Sequence, residues 1–171
     1  MSTWLQALLS GLLGVLIAAL VSYVLTKQQV DVTIKYQQLG FARELTKEFY
    51  YENDIHKKIR MAIERCQPLY NKSGGSFSND QINIYLGFFD DLGFYWKKDF
   101  LGLDVINHLF GGYIIEAFEY PEIRQYMARL QTSMEDPKAF SEFKELAERL
   151  EKDPNRQRQV QLAREVCKRK K

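Results

Sequence analysis

No charged residue falls between Trp4 and Leu25, and that run constrains the chain more than any other segment. Its 22 residues would extend roughly 33 Å as a helix, against a bilayer hydrocarbon core of about 30 Å. Eight leucines, three valines and Ile17 together favour insertion by roughly 4 to 7 kcal/mol, and only Gln6, Ser10 and Ser22 are polar. A soluble helix of this kind needs apolar neighbours on every side, which a remaining domain of about 145 residues seldom supplies. The run therefore reads as one transmembrane helix over 4–25, with the lipid bilayer as its first partner. A cleaved signal peptide is the rival. Such peptides begin with positive charge and end at small residues, whereas Met1 to Thr3 holds no Lys or Arg and Ser22-Tyr23-Val24 is a poor cleavage site. Retention of the span is expected.

Lys27, Lys35, Arg43 and Lys47 follow the run and no basic side chain precedes it. The positive-inside bias then puts the C-terminal part in the cytoplasm, at an inner membrane. Within the run Ser10, Gly14, Ala18 and Ser22 recur at every fourth position, the spacing at which small residues let two membrane helices touch. A homodimer through this stripe is one reading. The plainer one is that small residues are common in membrane helices and that the stripe faces lipid.

Across the whole chain, 46% hydrophobic and 13% aromatic content argues for a packed core rather than disorder. The chain divides into a juxtamembrane helix at 26–52, a helical domain at 53–152, and a basic C-terminal helix or tail at 153–171. From Arg156 onward seven basic residues face the single Glu165, a local excess of six, which leaves residues 1–155 with four more acids than bases. Arg164, Lys168, Arg169, Lys170 and Lys171 carry most of that excess. Such a cluster suits anionic lipid, at about 1 kcal/mol per residue near the surface. Nucleic acid draws on the same charges but is an unlikely partner, because no recognition fold is visible and the span holds the protein at a membrane. A solvated, frayed end is the plain alternative. Cys66 and Cys167 lack metal spacing and support no disulfide framework, so Cys66 reads as a free, buried small hydrophobe.

The apolar pattern is helical throughout, giving an all-α fold with no convincing strand and no repeat. Val30, Ile34, Phe41, Leu45 and Phe49 mark the first helix after the span, with Gly40 as its weak point. Asn53 is placed to cap a helix whose apolar face is Ile55, Ile59, Ala62, Ile63 and Cys66, with Lys57, Lys58, Arg60, Glu64 and Arg65 toward water, ending at Pro68. Asn71 to Asp80 has loop composition, and neither the Walker pattern nor the dinucleotide fingerprint fits its Gly74-Gly75 pair. Asn79 or Asp80 is expected to cap the core helix Gln81 to Trp96, and Asp104 the run Val105 to Phe118. Inside that run Gly111-Gly112 predicts close approach of a neighbour or a kink. Pro121 opens a helix to about Ser133, Asp136-Pro137 announces another over Ala139 to Leu150, and Asp153-Pro154 a last one carrying Val160, Ala163 and Val166 or Cys167.

From Phe41 to about Ile123 the chain resembles an uncharacterised bacterial family in which one N-terminal membrane helix precedes a small helical domain. The residues that carry the likeness are ARELTKEFYYENDIHKKIR and INIYLGFFDDLGFYWKKDFLGLDVINHLFGGYI. It implies architecture and topology only, and the final helices and the basic tail lie outside it.

Asp90, Asp91, Asp104 and His108 are the nearest approach to an acid-base or metal constellation. Adjacent aspartates on a helix point about 100° apart, however, and neither His56 nor His108 is followed by a second ligand three or four residues on. The bland alternative sets both aspartates on a wet face beside Lys97 and Lys98. Tyr85, Phe88, Phe89, Phe94, Tyr95 and Trp96 follow the helix period and read as core and rim rather than a stacking surface. No catalytic, cofactor or metal residues are assigned. The leading expectation is a non-enzymatic, membrane-tethered interaction or scaffold module with an unidentified protein partner. An enzyme with a site near Asp90, Asp91 and His108, or an effector acting through the span, are the alternatives.

Overall fold

The computed structural model describes residues 3–132 and 137–166, with the backbone alone at 3–18, 72, 155, 159, 163, 164 and 166. Among the described residues the chain is all-α: α1 Thr3–Lys47, α2 Asp54–Glu64, α3 Asn79–Lys97, α4 Leu103–Glu119, α5 Pro121–Thr132, α6 Ser141–Glu151 and α7 Gln157–Val166. It divides into two units, Met1–Phe41 and Ala42–Lys171.

In the first unit α1 is unbroken, and a Cβ on Gly40 would meet nothing within 4 Å. Leu20, Val21, Tyr23, Val24 and Leu25 are exposed, as are Val30 and Ile34. No helix among the described residues is long and apolar enough to cross a membrane. Most of the Trp4–Leu25 run, residues 4–18, lies outside the residues whose side chains are described, and with it Ser10, Gly14 and Ala18 of the small-residue stripe. Ser22, its fourth member, is exposed.

The second unit opens with the end of α1, where Ala42 and Leu45 are buried, and a π-helical turn, Glu48–Glu52. A π turn shifts the side-chain phase relative to an α-helix. Phe49, within it, is wholly buried against the rings of Tyr50, Phe88, Phe89, Phe110 and Tyr113 at centroid distances of 4.9 to 5.6 Å. Asn53 then caps α2, its side-chain oxygen accepting from the Ile55 and His56 amides. Arg60, expected to face water, is half-buried, with its guanidinium carbon 4.8 to 5.1 Å from the Phe49, Tyr50 and Tyr113 ring centres. Cys66 is no free hydrophobe: it is disulfide-bonded and half-buried. At φ 56° it ends α2, with the next amide, Gln67, donating back to Ala62. Cys167 lies outside the described residues.

Helix α3 is the core helix, burying Ile82, Tyr85, Leu86, Phe88, Phe89 and Leu92, whereas Phe94 is exposed. Its cap is Ser78, one residue before the expected Asn79, and Ser78 with Gln81 completes a reciprocal capping box. Helix α4 begins after Gly102, with Asp104 in its first turn rather than at the cap. Helix α4 runs unbroken through Gly111, which marks a close approach, since a Cβ there would meet Asn107 and the Arg156 guanidinium. Asn107 also donates to Asp153 at 2.8 Å and accepts from Arg156 Nε at 2.7 Å, tying α4 to the turn before α7. Val160 is buried, as expected; the side chains of Ala163 and Val166 lie outside the described residues.

Candidate functional site

The acid-base candidates do not converge. Asp90 accepts from the Phe143 amide at 2.9 Å and from the Glu142 amide, so it caps the start of α6 from across the domain. Burial lifts its carboxyl above the ordinary value of 3.8, and the two N–H bonds pull it back down. Asp136-Pro137, the expected start signal for α6, holds Asp136 outside the described residues, and α6 itself starts at Ser141 after Phe140 in the left-handed region. Lys97 pairs with Glu142 and Glu145, each at 2.6 Å. Asp91, Asp104 and His108 are exposed. Among the described residues no hydrogen bond or ion pair links any two of these four side chains, and no group of three or more His, Cys, Asp or Glu side chains is positioned to hold a metal ion. Of the basic tail, the Arg164 side chain and Lys168 to Lys171 lie outside the described residues.

A different feature has the geometry of a site, and sequence reasoning missed it. Between the 68–78 loop, the first turn of α3 and one face of α5 lies a cleft of about 580 Å³. That volume is within the range of small-molecule sites. The loop that walls it is pinned rather than free. Glu122, one residue into α5, accepts from the Leu69 amide at 2.8 Å, the Tyr70 amide at 3.3 Å and the Ser73 hydroxyl at 3.2 Å. Gly74 takes φ 88°, a conformation that costs glycine nothing. Gly75 passes so close to Pro68 and Leu69 that a Cβ would strike their backbone. An isolated bridge between Tyr70 and Phe77 closes the loop.

The walls are aromatic and polar together. Tyr70 and Tyr126 stand 5.5 Å apart, and the Tyr126 hydroxyl donates to Asn83 at 2.6 Å. The Arg129 guanidinium lies 5.2 Å from the Tyr126 ring centre. The Tyr70 hydroxyl is buried and has no hydrogen-bond partner among the described residues. Burial pushes its pKa up, so it stays protonated at neutral pH. Comparison with protein-family models, with curated proteins and with solved structures finds no match. The cleft is thus read from its own chemistry. The signals for it in the sequence were the Gly74-Gly75 pair and Glu122 after Pro121, but the 53 residues separating Leu69 from Glu122 hid their contact.

Proposed function

We propose that the chain is a membrane-tethered, non-enzymatic interaction module: a single span at 4–25 carrying a small helical domain, as the family resemblance also implies. One observation supports it most. The C-terminal end of the uncharged run, Leu20 to Leu25, leaves Leu20, Val21, Tyr23, Val24 and Leu25 between 49% and 67% exposed, a contiguous apolar surface that soluble proteins seldom leave in water. The unit Ala42–Lys171 has its own buried core. Engagement of Asp90 as a helix cap argues against the acid-base alternative. Self-association through Ser10, Gly14, Ala18 and Ser22, and lipid contact by the basic tail, belong to the same proposal.

The basic residues after the span favour a cytoplasmic domain. A second placement has a specific observation in its favour: Cys66 is disulfide-bonded, and disulfides persist in oxidising compartments. Protease digestion of sealed membrane vesicles of known sidedness, before and after opening with detergent, separates the two. Protection of the domain in right-side-out vesicles supports the cytoplasmic side. Digestion without detergent, with Cys66 refusing maleimide until reduced, supports the other.

A further inference from the structure

We infer that residues 22–39 of α1 pair with the same residues of a second copy of this chain, as a parallel two-stranded coiled coil. The inference rests on the tether proposed above, which holds every copy in one orientation. Its starting point is a seam on the exposed helix. Ser22, Leu25, Gln29, Val32, Tyr36 and Leu39 follow one another at alternating steps of three and four residues, the a and d spacing of a heptad. All six are exposed, with Leu25, Val32, Tyr36 and Leu39 at 51% to 72%.

Beyond the bilayer such a helix needs a neighbour. Val30, Val32, Thr33 and Ile34 are β-branched, which weakens an isolated helix. A lone helix of this length is marginal in water, where packing of an apolar face supplies most of the stability; yet α1 runs unbroken from Thr3 to Lys47. A second copy fits the seam. At about 100° per residue, the six seam positions and positions 10, 14 and 18 of the small-residue stripe fall within one arc of about 120°. Two copies that meet through that stripe inside the bilayer therefore meet through this seam outside it. Lys27, Asp31 and Lys35 all lie outside the arc, so the twin helices meet without like charges between them. Gln29 meets its own twin at an a position, where an amide that both donates and accepts fixes the register. The opposite face, Val30, Ile34 and Phe41, also carries Lys27, which a parallel pair would set against itself.

The test is copper-phenanthroline crosslinking of the full chain reconstituted in phosphatidylcholine vesicles. Single cysteines are added on each face, and the wild-type chain, with Cys66 and Cys167, sets the background. Val32→Cys and Leu39→Cys are expected to give a disulfide-linked dimer several-fold above that background, and Val30→Cys and Ile34→Cys none above it. Adding Val32→Asp to Leu39→Cys should return the yield to background, because the pair then brings two carboxylates together. Adding Ile34→Asp, which costs helix propensity equally, should leave the yield unchanged. Flotation of the vesicles is read on the same samples. A chain that floats but crosslinks equally on both faces, on the opposite face alone, or nowhere overturns the pairing and leaves the tether standing; so does a yield that Val32→Asp does not lower. A chain that fails to float contradicts the tether, and the pairing falls with it.

Discussion

His56 shows how a single side chain can set a pH response. It is 1% exposed, enclosed by the Phe49, Tyr85 and Phe88 rings. Among the described residues its Nδ1 has no partner, and its Nε2 lies 3.4 Å from the Ile84 carbonyl oxygen. Burial holds the imidazole below its ordinary value of 6.5; the Ile84 carbonyl pulls it part of the way back up, and the Arg60 charge adds a smaller push down. The unfolded chain therefore binds a proton that the folded chain refuses. The stability this residue contributes is complete above the unfolded value and is lost as pH falls from there toward the folded one. Denaturation midpoints of the full chain should drop between pH 7 and pH 5, and His56→Leu should flatten that slope; an equal slope in both proteins would remove His56 from the account. None of this was legible in the sequence, where His56 was one of two histidines without a metal-ligand pattern. Arg60 was misread for the same reason. Helix phase assigns a face, but not what another element lays over it, and here the covering rings come from the π turn and from α4.

Among the elements, helix starts with caps in their own sequence were readable and the start borrowed from elsewhere was not. Asn53 caps α2 as its position predicts, and α3 differed from expectation by one residue, because Ser78 offers the reciprocal box with Gln81. The α6 cap comes from Asp90, 53 residues earlier in the chain. Gly93, one turn beyond Asp90, allows that contact, since a Cβ there would strike the Glu142 backbone. Asp90→Ala should cost about 1 kcal/mol, as lost caps do, and Gly93→Ala roughly 1–3 kcal/mol, as overpacking does. Both are read from urea midpoints. Because both act on one contact, the double variant should lose less than the two losses added, and strict additivity would contradict a shared joint. Asn71 to Asp80 has loop composition, yet Glu122 pins the chain at Leu69, Tyr70 and Ser73. Glu122→Ala should release it, seen as faster hydrogen exchange at the Leu69 and Tyr70 amides with α3 protection retained. Unchanged exchange would mean that the carboxylate does not order the loop.

At the scale of the whole molecule, the all-α class and the position of the core helix were legible because amphipathic periodicity is local. The cleft was not, since its walls come from segments that only folding brings together. The chain joins a helix uncharged from Trp4 to Leu25 to a domain that folds around Phe49, and we propose that this run tethers the domain to a membrane. Alkaline carbonate extraction of membranes carrying the full chain tests this most directly. The account predicts that the protein stays in the membrane pellet and that a chain lacking residues 1–25 is released. Full-length protein recovered in the alkaline supernatant would contradict it.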